Sequence, residues 1–453
     1  MSKRNFILLI IILAIVVVGV FGFLYLQQSA IPSGTDTDGI NFGSKFNPFG
    51  SSSQTTPPTT TPPVDISGYI PTTTTETKLQ LTKVSTMPIA GYGVFSKERP
   101  KEINPTPTLP LSGEANTVPP AKGDTGGLKS SKPTVPPTEF LPALRYVARA
   151  NGNIYQTFAD KIEEKKFSST IIPKIYEALL GNNGNSVIMR YLKGDGKTIA
   201  TFVGNLPKET LGTDPAGNNE TKGVFLPDDI KDASLSSDAG NLFYLFNSGD
   251  NMFGTTLNFA TNKKVQIFSS AFTEWLSVFP NSKMITLTTK PSSSVLGYMY
   301  TLNPSTKSFS KTLGGINGLT TQTSPDGKLV LYSDNNLSLN IYHTDTKNSD
   351  SLGVNTLAEK CAWNKTSDIV YCGVPKNAGG GDYPDSWYQG IVSFSDQIWK
   401  IDIKTGNATI IIDPVAVQGG EDVDSIKLAL DEGENYLFFV NKKDSFLWEL
   451  GLK

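Results

Sequence analysis

The sequence has few of the residues that most often carry out catalysis or hold metals. Among its 453 residues there is one histidine, His343, and there are two cysteines, Cys361 and Cys372. A Ser-His-Asp triad would have to include His343, and the Gly-x-Ser-x-Gly motif of a hydrolase nucleophile is absent. Two thiols also fall short of the four Cys or His ligands of a structural zinc site. We therefore predict no catalytic residues, no metal site and no cofactor.

An excess of charge of one sign is also missing. The chain has 40 Lys and Arg residues against 42 Asp and Glu residues, which gives a formal net charge of −2. A nucleic-acid partner calls for a strongly basic domain or stripe. Lys greatly outnumbers Arg, so the guanidinium groups that hold phosphates through two hydrogen bonds are few. The composition therefore predicts no nucleic-acid partner.

Helical periodicity is almost absent from the last three quarters of the chain, and a repeated turn-plus-strand unit takes its place. Its fullest copy is Ser-Pro-Asp-Gly-Lys at residues 324–328, followed by the apolar residues 329–333. Pro presets the first turn dihedral, Asp bonds to its own backbone, and Gly accepts the positive φ of a tight hairpin. Less complete copies precede strands near residues 186, 242, 284, 369 and 436. Their spacing, on the order of 40 to 60 residues, is typical of four-stranded propeller blades.

A second turn recurs about a dozen residues after the first, as expected for the hairpin between the third and fourth strands of a blade. Its copies lie at residues 258–263, 302–307, 342–347 and 401–406. Both turns resemble those of TolB-type, WD40-like (PD40) propeller repeats, and the resemblance covers roughly residues 78–453. The chain is also similar to uncharacterised single-span propeller proteins of candidate-phylum bacteria. These resemblances imply an all-β propeller and no particular activity.

The two ends of the propeller are predicted to share one blade. The last repeat has only three strands, whereas residues 78–85 match the pattern of the fourth strand at residues 262–269. Pairing of the first segment with the last strand would leave no free sheet edge. This gives seven blades that begin near residues 88, 172, 231, 271, 315, 356 and 420. Six or eight blades are alternatives, because residues 206–223 have the composition of a long loop.

The N-terminal region is predicted to anchor the protein in the cell membrane. Residues 6–26 are apolar and uncharged and follow Lys3 and Arg4, so residues 1–27 form a cytoplasmic start and one membrane-spanning helix. The positive-inside rule places the N-terminus in the cytoplasm and the propeller outside. A cleaved signal peptide is the alternative, although the apolar run is longer than the usual apolar part of such a peptide.

Two stretches have the composition of disordered chain. Residues 28–77 are rich in Thr, Ser, Pro and Gly and are predicted to form a linker between the membrane helix and the propeller. Residues 97–139 are rich in Pro and interrupt the first blade. We predict a disordered insertion there, since loop-closure entropy grows slowly with length. A polyproline partner motif or a segment embedded in the cell wall is the alternative.

Cys361 and Cys372 flank a predicted hairpin, which places them nearly opposite each other on facing strands. This separation is compatible with disulfide geometry. An even cysteine count outside the cytoplasm favours a disulfide. Two buried free thiols are the alternative.

The loop at residues 374–395 is the best candidate for a recognition surface. It lengthens a normally short connection and carries aromatic and acidic residues that suit sugar or peptide recognition: Asp382, Tyr383, Asp385, Trp387 and Tyr388. Propeller topology places this loop on the face away from the linker. The alternative is that Trp387 packs the loop onto blade six.

The sequence therefore predicts an extracytoplasmic binding or scaffolding module with a protein or glycan partner in the cell envelope. One alternative is a glycan-active enzyme that uses loop carboxylates, such as Asp382 and the acidic cluster at residues 421–424. A structural component of the envelope is the other alternative. The fold alone does not choose among them.

Overall fold

The computed structural model describes residues 79–101, 137–209 and 220–453. Within these residues, 28 strands form seven antiparallel sheets of four strands each. The predicted all-β, seven-bladed propeller is confirmed, and each blade begins close to its predicted position. The predicted membrane helix and linker lie outside the described residues. Inside them, no helix combines the length and apolar character needed to cross a membrane.

Strand β1 (Leu81–Lys83) comes first in the chain, and the blades follow in order. Blade one contains β2 (Ile89–Pro100), β3 (Thr138–Ala148), β4 (Ile154–Phe158) and β5 (Lys165–Ser168). Blade two contains β6 (Ile175–Gly181), β7 (Ser186–Leu192), β8 (Ile199–Asn205) and β9 (Lys222–Phe225). Blade three contains β10 (Ile230–Leu235), β11 (Asn241–Ser248), β12 (Asn251–Asn258) and β13 (Lys264–Ser270).

The remaining blades repeat this arrangement. Blade four contains β14 (Trp275–Asn281), β15 (Met284–Thr289), β16 (Leu296–Leu302) and β17 (Phe309–Asn317). Blade five contains β18 (Thr320–Thr323), β19 (Leu329–Ser333), β20 (Ser338–His343) and β21 (Ser349–Asn355). Blade six contains β22 (Cys361–Trp363), β23 (Ile369–Pro375), β24 (Asp396–Asp402) and β25 (Ala408–Ile412). Blade seven contains β26 (Ser425–Leu430), β27 (Tyr436–Asn441) and β28 (Leu447–Gly451).

The second strand of each blade is largely buried because both of its faces pack against neighbouring blades. In β11, for example, Leu242, Phe243 and Leu245 expose none of their surface. Sheets covered on both faces favour continuous apolar, β-branched and aromatic residues, and these strands have that composition. The core is therefore a ring of apolar layers between blades.

The ends of the chain close the ring in the predicted way. Strand β1 pairs antiparallel with β28 and completes blade seven, with Leu81 opposite Leu450 and Lys83 opposite Trp448. The backbone N–H of Gly451 also donates to the carbonyl of Gln80 at 2.9 Å. Without β1, the backbone groups of β28 would form an unpaired edge.

The Pro-rich insertion begins later and ends earlier than the sequence indicated. Residues 97–100 continue β2, residues 138 and 139 begin β3, and Pro100 lies opposite Thr138. Arg99 stabilises this extension through ion pairs with Glu139 at 3.0 Å and Asp160 at 2.7 Å. The sequence-based boundary was therefore wrong by a few residues at each end, because charged pairs continue the ladder where apolar residues stop. Residues 102–136 lie outside the described residues.

Each propeller face is formed by its own class of connections. The first strands of neighbouring blades contact one another, as β2 contacts β6 and β22 contacts β26, so they surround the central channel. Hairpins between strands one and two and between strands three and four lie on one face, here called the hairpin face. Connections between strands two and three and between blades lie on the opposite face, here called the loop face.

Glu449 of β28 is a buried carboxyl in the closing blade. It is 5% exposed, and its Oε2 has no hydrogen-bond partner among the described residues. Burial, together with the nearby negative charges of Asp160 and Asp431, raises its pKa from 4.5 to about 8. Between these two pH values the folded state holds one more proton than the unfolded chain. The free energy of unfolding therefore falls as the pH rises through this window.

Glu449→Gln should remove this pH dependence because the amide does not ionise. We expect the variant and the parent to unfold at similar urea concentrations at pH 4. At pH 7 the variant should be more stable by about 3 to 4 kcal/mol, at about 1.4 kcal/mol for each pH unit above the unshifted pKa of 4.5. Urea unfolding of the variant and the parent across this pH range measures the difference in their free energies of unfolding. A stability difference that does not change with pH would contradict the prediction.

Candidate functional site

The loop at residues 374–395 is packed against the propeller. It contains a short helix, α1 (Asp385–Tyr388), and three of its aromatic side chains join a buried cluster with Leu337 and Leu357. These three side chains are Tyr383, Trp387 and Phe394. Tyr383 and Trp387 are each 4% exposed, whereas Tyr388 is 37% exposed. Tyr383 and Trp387 are therefore not free to form a recognition surface, and the alternative that Trp387 packs the loop down is the one observed, because both rings fill the space under the loop.

Asp424 fixes this loop to blade seven. Its carboxylate accepts hydrogen bonds from the indole Nε1 of Trp387 at 2.9 Å and from the backbone N–H of Phe394 at 3.0 Å. Lys442, also in blade seven, donates from Nζ to the carbonyl of Trp387 at 2.6 Å. A buried carboxylate needs such donors to offset the loss of its hydration. Trp387 is therefore held by polar contacts as well as by apolar packing.

Lys360 supplies the counter-charge beneath the loop. It ends the 3₁₀ helix Ala358–Lys360, is fully buried, and lies between Asp424 and Asp396, the latter at 2.8 Å. Burial works to raise the pKa of Asp424, but Lys360 and the hydrogen bonds to its carboxylate lower it below the ordinary value. For Asp396, burial outweighs Lys360 and raises the pKa. A single buried cation thus holds together two blades and the loop.

The loop extends over the channel from blade six. Its Asp385 accepts a hydrogen bond from the backbone N–H of Ser293 in blade four at 2.5 Å. Its buried cluster includes Leu337 of blade five and packs against Ile426 on the innermost strand of blade seven. The loop therefore contacts blades four, five and seven and covers part of the channel's loop-face end.

The predicted recognition residues separate into two groups. Asp382 and Tyr388 are exposed, while Asp385 contacts blade four and the other two aromatic residues are buried.

Glu359 lies next to the loop, and no motif in the sequence marked it as a functional residue. Burial raises its pKa to about 7, although interactions with Tyr388 and Lys360 lower it in part.

The other candidate carboxylates have basic partners. Glu421 pairs with Lys83 at 2.6 Å, and Asp422 forms an ion pair with Lys443. His343 Nε2 lies 3.1 Å from Asp350 at an outer hairpin of blade five. In the part of the chain that the structure describes, no three His, Cys, Asp or Glu residues are grouped to hold a metal ion.

The predicted disulfide between Cys361 and Cys372 is confirmed. The two residues are directly opposite on β22 and β23, with their Cα atoms 4.1 Å apart. The bond joins the first two strands of blade six, next to Lys360.

A cavity of about 990 Å³ opens on the hairpin face. It is lined by hairpins between strands one and two of six blades, so it lies at the hairpin-face end of the channel. One lining residue from each of these blades is Phe95, Asn183, Ala239, Pro325, Trp363 and Gly433. Its volume is within the range typical of ligand sites. Sequence reasoning missed this cavity because its residues come from six separate repeats.

The cavity lining carries more negative than positive charge. Its carboxylates are Asp238, Asp431, Glu432 and Glu434, and its single basic side chain is Lys365. Hydrogen bonds from Ser236 and the backbone of Gly240 lower the pKa of Asp238. Phe140, on the hairpin extension of blade one, is 67% exposed at the rim. The cavity thus combines several carboxylates with an exposed aromatic ring.

No protein-family model matches the chain, and no curated protein matches it. Solved structures match at low identity. An oligogalacturonate lyase in complex with manganese is 10% identical with a TM-score of 0.43, and the match covers 69% of this chain and 85% of that one. The oligogalacturonate lyase of Vibrio parahaemolyticus is 9% identical with a TM-score of 0.46, over 69% and 86% of the two chains.

The tricorn protease is 10% identical with a TM-score of 0.33, over 66% of this chain and 27% of that one. These likenesses concern the fold alone. The resemblance to TolB-type repeats and to the candidate-phylum proteins stays a prediction.

Proposed function

We propose that this protein is a binding or scaffolding module of the cell envelope whose ligand site is the cavity on the hairpin face. Residues 1–27 would anchor it in the membrane, with the propeller outside the cytoplasm. The bond between Cys361 and Cys372 supports this location, because disulfides persist mainly in oxidising compartments.

The difference between the two ends of the channel carries the proposal. On the loop face, the loop at residues 374–395 covers part of the channel and buries Trp387. On the hairpin face, the channel widens into a cavity of about 990 Å³. Ligand sites are usually preformed concave surfaces with a few converging polar groups. The hairpin face has such a surface, whereas the loop's large aromatic side chains are already packed.

The proposal includes no catalytic step. Paired carboxylates that cleave glycosidic bonds need a substrate-sized space between them. Glu421 and Asp422 instead bind neighbouring lysines, and Asp424 is buried against Lys360. Asp382 and Tyr388, the exposed members of the loop set, stay a predicted contact surface on the loop face.

Site-specific photo-crosslinking in intact cells compares the two faces. A photoreactive phenylalanine analogue would replace Phe140 at the cavity rim or Ile391 on the loop face, which are 67% and 73% exposed. We expect a discrete crosslinked partner from position 140 and none from position 391. The matched exposure of the two positions controls for random collisions.

A second variant tests whether the cavity interior takes part. Ser237→Trp places a large side chain at an exposed position of the lining. It should abolish the crosslink from position 140 while leaving the melting temperature unchanged. Crosslinking from position 391 alone would move the site to the loop face and overturn the proposal.

A further inference from the structure

We infer that the hairpin-face cavity recognises the lysine or arginine side chains of a basic segment in another protein. This inference rests on the proposed function above and names the chemistry of its ligand. Four carboxylates and one ammonium group contribute to the lining. A ligand of opposite charge is attracted to such a surface, and an anionic ligand is repelled.

Lys365 neutralises little of the negative charge. Its Nζ lies 3.6 Å from Glu432, and the two side chains are 72% and 73% exposed. Exposed pairs of this kind are weak, because both side chains are solvated and mobile. An incoming cation can therefore compete with Lys365 for Glu432.

Two of the remaining carboxylates have fixed positions. Asp431 is 3% exposed and accepts hydrogen bonds from the backbone N–H groups of Gly433, Asn435 and Tyr436 at 2.6 to 3.0 Å. Asp238 is held by the N–H of Gly240 at 2.9 Å. Asp431 thus adds a carboxyl group at a fixed position in the lining, while Asp238 and Glu432 are exposed and can contact a ligand directly.

One contact shows that the lining accommodates a basic side chain of the chain itself. The Lys453 side chain donates from Nζ to the carbonyl of Gly433 at 3.2 Å. Arg145, which also contacts Phe95, is 2% exposed and paired with Glu209 at 2.6 Å, so it lies behind the lining and is already neutralised. Carbonyl oxygens and aromatic faces both attract cations, and Phe140 presents a further exposed ring at the rim.

Fluorescence anisotropy with the full-length protein in detergent micelles tests the ligand class. The probes are three fluorescein-labelled peptides of equal length, with alternating Gly-Lys, Gly-acetyl-lysine or Gly-Glu sequences. We expect the lysine peptide to bind at least about tenfold more tightly than the other two, as several weak ion pairs add up. Its affinity should fall as NaCl rises from about 50 to about 500 mM, because salt screens exposed charges.

A matched pair of variants locates the interaction. Asp238→Asn with Glu432→Gln removes two carboxylates from the cavity, and Asp250→Asn with Glu274→Gln removes two exposed carboxylates from the loop face. The cavity variant should bind the lysine peptide about tenfold more weakly, whereas the loop-face variant should stay within about twofold of the parent. An equal loss in both variants would overturn the inference.

The remaining outcomes separate the ligand class from the site. If the acetylated peptide binds as tightly as the lysine peptide while position 140 still crosslinks a partner, the cation inference fails and the proposed function stands. If position 140 crosslinks nothing, the cation inference and the proposed function both fail.

Deletion of residues 102–136 should leave the affinity for the lysine peptide unchanged. A tenfold gain in affinity after this deletion would instead show that the deleted segment occupies the cavity in place of a second protein. That segment contains Lys122, Lys129 and Lys132.

Discussion

Deletion of residues 1–85 should lower the free energy of unfolding by about 5 kcal/mol or more, whereas deletion of residues 1–70 should leave it nearly unchanged. The longer deletion removes β1 and with it the buried side chains of Leu81 and Val84, which are 9% and 2% exposed. Each buried apolar side chain of this size contributes about 1.5 to 3 kcal/mol. Each lost backbone hydrogen bond to β28 removes about 1 kcal/mol more.

Urea unfolding and light scattering of the two truncated proteins measure this effect. The longer deletion also exposes the edge of β28, so aggregation should rise with it. Val84→Ala in the full chain is a milder control and should cost about 1 to 2 kcal/mol by leaving a small cavity. Equal melting temperatures for the two deletions would show that β1 does not stabilise the closing blade.

Lys360→Met should be the most destabilising single substitution considered, at about 3 to 5 kcal/mol, because it leaves two buried carboxylates without their cation. Both Asp396 and Asp424 are within ion-pair distance of Lys360, and all three side chains are fully buried. Lys443→Met is a matched control, since it removes an exposed ion pair with Asp422 and should cost less than about 1 kcal/mol.

The pH dependence of this variant gives a second measurement. Without Lys360, burial raises the pKa values of both carboxyls, so they take up protons at a higher pH than in the parent. The stability deficit of Lys360→Met should therefore shrink as the pH falls towards 4. Addition of Asp396→Asn and Asp424→Asn should restore part of the lost stability. A deficit that is equal at all pH values would show that the loss comes from packing alone.

The architecture was predictable because it depends on local chemistry that repeats. A Ser-Pro-Asp-Gly-Lys turn followed by an apolar strand has the same meaning wherever it occurs, and the hydrogen bonds of Ser324 and Asp326 close the turn that the sequence predicted. The closing strand followed from the same logic, since the last blade lacked one strand. The disulfide was also predictable, because the two cysteines flank a single hairpin.

The burial of the candidate loop was not predictable in the same way. Its aromatic and acidic composition suits a recognition surface and an anchored loop equally well. Trp387 is buried because Asp424, more than thirty positions later in the chain, accepts its indole N–H. Lys360 resembled an ordinary surface lysine, and only the meeting of blades six and seven surrounds it with carboxylates.

The all-β class, the repeat pattern, the shared closing blade and the cysteine pairing could be predicted from the sequence, since each depends on residues close together or on a pattern that recurs. Which side chains are buried under the loop, and which surface is open, depends on contacts between blades that are distant in the sequence. The cavity brings together Asp238, Lys365 and Glu432 from three blades. Their convergence depends on the curvature of the closed ring, which no local segment of sequence specifies.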